Sequence, residues 1–370
     1  MQKIIVVGAG ILGAATAYHL TKLGAEVTVV DRSDDGQATD AAAGIICPWL
    51  SQRRNQKWYK LAKGGARHYP TLIQMLEADG EVDTGYKQVG AISVRQEEEK
   101  LAAMEERAQK RKQDAPEIGE ITRLTPAQTK AIFPPLADGY SAIHISGAAR
   151  VDGRRLRESL KRAAKKNGAT IIEGDAKILH ENARVTGVSV NGNNLHADQV
   201  IVTAGVWAKE LLKPLGVNFL IEPQKAQIVH LQLPDTDTSD WPLVMPPSDQ
   251  YILAFEDHIV AGSTHENDMG LDYRVTPIGL HEIFGKVLAI APGLSDSTLL
   301  DTRVGFRPVA PGFLPIVGPL PGFENILVAN GLGSSGLTSG PYIGSELDKL
   351  AVGHETEIDI SDYPVSGAIE

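Results

Sequence analysis

Apolar positions open the chain in short runs bounded by glycine. Residues 3–7, KIIVV, predict a buried strand that stops at Gly8. AATAYHLTKLG at 14–24 carries apolar residues at helical spacing and ends on Gly24, which predicts a helix; EVTVVD at 26–31 predicts a second strand closing on Asp31. A loop of small residues, DGQATDAAAGIICPWLS, leads into a long helical pattern, QKWYKLAKGGARHYPTLIQMLEADG, and then a strand at VGAISV. Residues 97–112 predict a charged helix, TPAQTKAIFPP a short N-capped one, and RVDGRRLRESLKRAAKKNG an amphipathic one, followed by strands in ATIIEG and ADQVIVTAG.

Between 217 and 300 the period shortens. QIVHLQL, YILAFED and HIVAGST alternate with turn residues between them, predicting an antiparallel sheet, with VTPIGLHEIFGKVLAIAP as a helix inside the region. The end reverts to Gly-rich loop, strand (NILVAN), Gly-rich loop and helix (PYIGSELDKLAVG). The pattern predicts an α/β fold: a Rossmann-like domain of residues 1–82, 147–216 and 300–370. A β-rich substrate domain of residues 83–146 and 217–299, antiparallel sheet plus helices, interrupts it.

Composition changes this picture little. With 370 residues, 42% hydrophobic and 22% charged, the chain is an ordinary globular sequence long enough for two domains. The net charge is −10, and the one basic run, KRAAKK at 161–166, reads as a solvated helix face, which argues against a nucleic-acid partner. No HExxH or CxxC spacing occurs, so no metal site is expected. Cys47 is the single cysteine, so no internal disulfide can form and a cytoplasmic, reducing home is expected. Three glycines within the apolar start, and the strand that follows, argue against a secretion signal; nothing encodes a membrane anchor, and the oligomeric state is not specified.

The chemistry enters with GAGILG at 8–13, set between a strand and a helix and followed by a strand ending in an acid. Gly8 permits the tight turn, Gly10 lets a pyrophosphate approach the backbone, and Gly13 lets helix and sheet pack closely. Gly8, Ala9, Gly10, Ile11, Leu12 and Gly13 thus form a dinucleotide cradle, with Asp31 placed to accept from ribose hydroxyls. The motif suits NAD and FAD alike. Arg32 beside Asp31 raises a 2′-phosphate, but the carboxylate repels that group, so NADP is the least favoured.

GFRPVAPGFLPIVG at 305–318 sets another question. Arg307 keeps its charge in apolar company and needs an anionic or strongly accepting partner, either an internal acid such as Asp301 or Glu266 or a ligand.

Taken together, GAGILG with Asp31, AAAGI (41–45), ADQVIVTAGVWA (197–208), HIVAGSTHEND (258–268), GFRPVAPGFLPIVG and NGLGSSGLT (330–338) resemble the D-amino-acid oxidase family of FAD-dependent oxidoreductases, which includes glycine oxidase, sarcosine oxidase and D-amino-acid dehydrogenase. The resemblance spans nearly the whole chain. It implies non-covalent FAD, contacted by Ala38, Thr39, Ala43, Gly44 and Ile45 in the small-residue loop, by Ala204, Gly205 and Trp207 after VIVTAG, and by Ala176 near the adenine. It implies that Leu332, Gly333, Ser334, Ser335, Gly336, Leu337 and Thr338 lead into the last helix and stabilise negative charge at the flavin N1–C2=O edge.

Arg307 then falls where family members with amino-acid substrates clamp the substrate carboxylate, Tyr251 on the strand that lines the active site, and Ile46 and Trp49 where they shape the substrate pocket. Glycine oxidases often carry a second arginine in the final loop; Ser334 stands there instead, which departs from strict glycine-oxidase identity. Attachment of the flavin through Cys47 is disfavoured, because cysteine-linked sarcosine oxidases use a position near the C-terminus. The implied reaction is oxidation of a small amino acid or related amine, with O2 or another acceptor reoxidising the flavin. An amine lacking a carboxylate, such as an amino ketone, is the alternative within the class. A NAD-dependent dehydrogenase and a non-catalytic flavin-binding protein are the alternatives outside it.

Overall fold

The computed structural model describes residues 1–370. The N-terminal pattern folds as read: β1 (Lys3–Val7), α1 (Ile11–Lys22) and β2 (Glu26–Asp31) form a parallel βαβ unit in which Lys3–Val7 pairs residue for residue with Glu26–Val30. These strands sit in a six-stranded sheet. Its order is Ile316–Pro319, Ile326–Asn330, Gln199–Val202, β1, β2 and Thr170–Glu173, parallel except for the first pair. A three-stranded meander, Lys177–Glu181, Arg184–Val190 and Asn193–His196, stands beside it. The apolar pattern did not reveal this meander, because its residues alternate between exposed charges and a few buried valines.

The second sheet has eight strands: Thr298–Val309, Glu222–Gln232, Ile259–Gly262, Tyr251–Ala254, Leu243–Met245, Ala91–Arg95, Ser141–Ile145 and Ile121–Leu124. Its pairs are antiparallel apart from Leu243–Met245 with Ala91–Arg95. The segment from residue 298 to 309, read as loop, is a strand: it pairs with Glu222–Gln232 along its whole length, so the expected boundary at residue 300 runs through a strand of this sheet.

Helix α2 (Gln56–Ala78), the charged helix α3 (Glu98–Lys112), the capped α4 (Pro126–Ile132), the amphipathic α5 (Gly153–Lys166), a short α6 (Ala208–Leu212) and α7 (Pro277–Ile290) complete the layers with α8 (Gly336–Ala351). Helix α8 starts five residues before the expected Pro341. A proline in the second turn lacks the N–H that the carbonyl four residues back would receive, and the helix continues because another donor serves that carbonyl. Helices α1, α2 and α8 pack in one large apolar cluster behind the six-stranded sheet. At Gly65 a Cβ would stand 1.9 Å from the Thr338 carbonyl, so only glycine lets α2 approach the start of α8 so closely. No helix is long and apolar enough to cross a membrane.

Candidate active site

One cavity of about 610 Å³ runs from the GAGILG turn to the eight-stranded sheet. Its size and mixed lining suit a cofactor with a small substrate. The turn at its base depends on close backbone approach. Gly8 has φ +99°, and a Cβ on Gly13 would lie 1.8 Å from the Gly8 carbonyl oxygen. The Ile11 amide donates to Thr39 Oγ1 at 3.0 Å, while the amides of Leu12 and Gly13 have no acceptor in the protein, and no side chain caps α1. Free N–H groups at a helix N-terminus are what a pyrophosphate needs. Thr203, which the sequence reading passed over, locks the turn by donating to the carbonyls of Gly8 (2.9 Å) and Val7 (3.1 Å).

At one end Asp31 lines the cavity, its carboxyl pushed up by burial and held back by the amides of Ala9 and Arg32. Arg32 is occupied: it bonds Asp34 at 2.8 Å and Asp175 at 2.9 Å, and both acids also line the cavity. Three carboxylates around one compensated arginine accept ribose hydroxyls and repel a 2′-phosphate. Ala176 lines the same end.

The loop of small residues passes along the middle. Gln37 bridges to Phe306 of the long edge strand, and Ala38, Thr39, Ala43, Gly44 and Ile45 line the cavity. Facing them are Ala204, Gly205 and Trp207, and then Leu332, Gly333, Ser334, Gly336, Leu337 and Thr338. Asn330, also unread in the sequence, joins these walls: its Nδ2 donates to the Gly205 carbonyl at 2.8 Å and its Oδ1 accepts from the Gly331 amide. An Asn directly before glycine at a strand end was the available signal.

Against the eight-stranded sheet, Arg307 and Tyr251 line the cavity with Ala226. Arg307 has neither of the acids named as internal partners. Asp301 bonds Arg303, and Glu266 accepts from Gln227 and Thr264 with the fully buried Lys225 ammonium 3.7 Å away. Alternation along Glu222–Gln232 explains the separation: Ala226 lines the cavity and Gln224 on the same face bonds Arg307, while Lys225 and Gln227 face the other way. The guanidinium instead donates to three neutral acceptors, Ser263 Oγ at 2.5 Å, Gln224 Oε1 at 3.2 Å and the Thr264 carbonyl at 3.3 Å. Burial lowers its proton affinity, and burial raises that of the adjacent Tyr251, which stays a neutral donor. A positioned charge with only neutral partners is a receptor for an anion.

Five of the expected residues lie elsewhere. Ala9 and Gly13 sit behind the cradle they shape, and Ser335 turns away to accept from the Trp58 indole at 2.8 Å. Ile46 and Trp49 do not line the cavity; both are 1% exposed in the main apolar cluster, so the pocket wall there is backbone and small side chains. Cys47 is likewise buried outside the lining, its thiol pushed up by burial to about 12. No group of three metal-ligating side chains occurs.

The same architecture recurs among known proteins. The chain is 62% identical over 371 residues to the uncharacterized oxidoreductase YurR of Bacillus subtilis, covering all of both chains. It is 29% identical over 375 residues to glycine oxidase of Pseudomonas aeruginosa, again along the full length of both. The crystal structure of iminodiacetate oxidase (IdaA) from Chelativorans sp. BNC1 superimposes with a TM-score of 0.94 at 44% identity, over 98% of each chain. Glycine oxidase from Bacillus cereus ATCC 14579 shares the fold, with a TM-score of 0.85 at 21% identity over 98% of each chain. The model of the family described as "FAD dependent oxidoreductase" (DAO) matches residues 3–350, and the chain belongs to that family.

Proposed function

We propose that the protein oxidises a small amine bearing a carboxylate on the carbon next to nitrogen, and that Arg307 clamps that carboxylate. The observation that carries this reading is the Arg307 guanidinium, lining the cavity and bonded only to neutral acceptors. Two relatives support it through their names, since glycine and iminodiacetate share an N–CH2–carboxylate unit.

FAD suits the rest of the cavity: free α1 amides for the pyrophosphate, Asp31 for the ribose, and a glycine-rich loop entering α8, whose positive dipole end suits an anionic ring edge. When bound, FAD supplies two-electron chemistry and passes the electrons to O2 or another acceptor. Burial of Cys47 away from the cavity supports non-covalent binding.

The chain's own residues do the positioning. Arg307 fixes the carboxylate, and the neutral Tyr251 phenol stands beside it as a donor. Of the acids that line the cavity, Asp31, Asp34 and Asp175 gather around Arg32, and Glu210 stands on α6, whose Lys209 pairs with Glu222 near the end of the strand pair that carries Arg307. No carboxylate bonds Arg307, and the amine is read as reacting in its neutral form. Overall the neutral amine loses two electrons and two protons, one from carbon and one from nitrogen, to become the imine, and water then converts the imine to a carbonyl compound and an amine or ammonia.

The test is anaerobic bleaching of the oxidised-flavin absorbance with glycine, N-substituted glycines, D- and L-amino acids, and aminoacetone. Bleaching by the carboxylate-bearing amines is expected. Bleaching by aminoacetone and not by any amino acid would overturn the clamp.

A further inference from the structure

Three guanidinium groups gather with no ion pair to a carboxylate at a second place in the eight-stranded sheet, with four strands between it and the strand of Arg307. Along Ala91–Arg95, alternation puts Ala91, Ser93 and Arg95 on one face. Ala91 shares an apolar cluster with Leu101, Met104 and Ala108 of α3, whereas Ile92 and Val94 belong to the cluster on the opposite face. Arg95 therefore lies under α3. Arg107 and Arg111 stand four residues apart on that helix, one above the other on one face, where like charges repel.

Their polar contacts are incomplete. Arg111 Nη1 donates to the carbonyls of Trp49 (2.6 Å) and Ser51 (2.7 Å), and its guanidinium lies 4.5 Å from the centre of the Tyr59 ring. Arg95 Nη1 reaches only the Val94 carbonyl at 2.6 Å and Ser93 Oγ at 3.5 Å. Arg107 Nη1 and the Tyr59 hydroxyl are buried with no partner at all. The acids nearby are spoken for: Asp114 pairs with Lys63 at 2.7 Å, Glu97 with Lys100 at 2.7 Å, and Glu105 with Arg123 at 3.7 Å. Glu117 is left, facing Tyr59, with a buried carboxylate oxygen that also lacks a partner. Burial lowers the proton affinity of Arg95 and of Arg111; Glu97 acts against this at Arg95, and Tyr59 and Asp114 at Arg111, while the Arg107 charge adds to the lowering in both.

A guanidinium offers donors and no acceptor, so a cluster of three has to be completed by an acceptor from outside. Glu97 and Asp114 offset part of the charge on Arg95 and Arg111, but each pairs with a lysine and neither forms an ion pair with an arginine of the cluster. We propose that Arg95, Arg107 and Arg111 form a binding site for a small-molecule dianion, separate from the Arg307 clamp. None of the three arginines lines the Arg307 cavity, so the dianion is a free effector rather than a part of the substrate. Binding here does not depend on the flavin reading, because it is measured without turnover.

The experiment is calorimetric titration of the FAD-loaded protein at low ionic strength with inorganic phosphate, succinate and acetate. Phosphate and succinate are expected to bind at least about tenfold tighter than acetate. Arg107→Gln is expected to weaken both dianions by about tenfold while leaving acetate unchanged, and Arg54→Gln, at an exposed position, is expected to change nothing. Arg95→Gln repeats the test should Arg107→Gln fail to fold. Equal affinities for acetate and the dianions would overturn the site. Dianion binding that survives in both Arg107→Gln and Arg95→Gln would overturn it too.

Discussion

The hydroxyl of Tyr69 donates to the Leu337 carbonyl oxygen at 2.6 Å, at the one point where α8 cannot serve itself. Leu337 stands four residues before Pro341, which has no N–H to give. Tyr69 is fully buried, so no water replaces it. Helix α2 thus completes the first turns of α8, beside Gly65 packed on Thr338 and the Trp58–Ser335 bond. These are the turns that line the cavity.

Tyr69→Phe leaves that buried carbonyl without a donor and should lower stability by about 1–3 kcal/mol. Pro341→Ala restores an N–H to the same carbonyl, so the double variant should recover most of the loss. Chemical denaturation of the four proteins closes the cycle; additive effects would show that the two changes are uncoupled.

Arg307→Ala should lower kcat/KM for a carboxylate-bearing amine by roughly 10²-fold, the equivalent of about 3 kcal/mol of charged hydrogen bonding. Arg307→Lys should recover little, because a point charge cannot reproduce the three-way bonding to Ser263, Gln224 and Thr264. Steady-state kinetics with one substrate suffices, and unchanged constants in both variants would remove the clamp.

Asp31→Ala should raise the dissociation constant for FAD by about tenfold, read from the fluorescence of released flavin. Arg32→Ala should do less, since Arg32 is already committed to Asp34 and Asp175. Arg32→Ala should not gain affinity for a 2′-phosphate, since Asp31, Asp34 and Asp175 all remain.

Flavin should leave the protein completely on acid precipitation, in the wild type and in Cys47→Ser alike. A thiol pushed up to about 12 by burial is also a poor nucleophile, so Cys47 should resist alkylation until the protein unfolds. Retention of colour in the pellet would contradict non-covalent binding.

The rings of His19 and His68 meet at 5.4 Å, tilted by 50°, between α1 and α2, their pKa values lowered chiefly by burial to about 3 and about 4. In the unfolded chain they titrate near the ordinary histidine value. Between about pH 6.5 and pH 4 the unfolded state therefore binds more protons, and each histidine removes up to about 1.4 kcal/mol of stability per pH unit as pH falls. Asp348, raised by burial to about 7, acts in the opposite direction over much of the same window. The difference between wild type and His68→Gln isolates one histidine: the wild type should lose more stability on going from pH 6.5 to pH 5. Equal losses in denaturant melts would refute the assignment.

The βαβ unit and its cradle were legible because they are local. Glycine spacing, helical period and the acid at Asp31 lie within the first 31 residues, where chain order and spatial order coincide. The small-residue loop, Arg307 and Tyr251 could be named from motifs, and they meet around one cavity. What no local pattern could settle was which side of a strand faces the cavity and which acids are already taken. The pairing register puts Gln224 opposite Arg307 and turns Lys225 away to hold Glu266, and that alone leaves Arg307 without an acid. Trp49 reads as a pocket residue by position, yet tertiary packing buries it in the core. Helix α8 starts before its proline because a tyrosine 272 residues from that proline supplies the missing hydrogen bond. Pattern and motif depend on neighbours in the chain; partnership and facing depend on neighbours in space, which only the folded sheet and helices bring together.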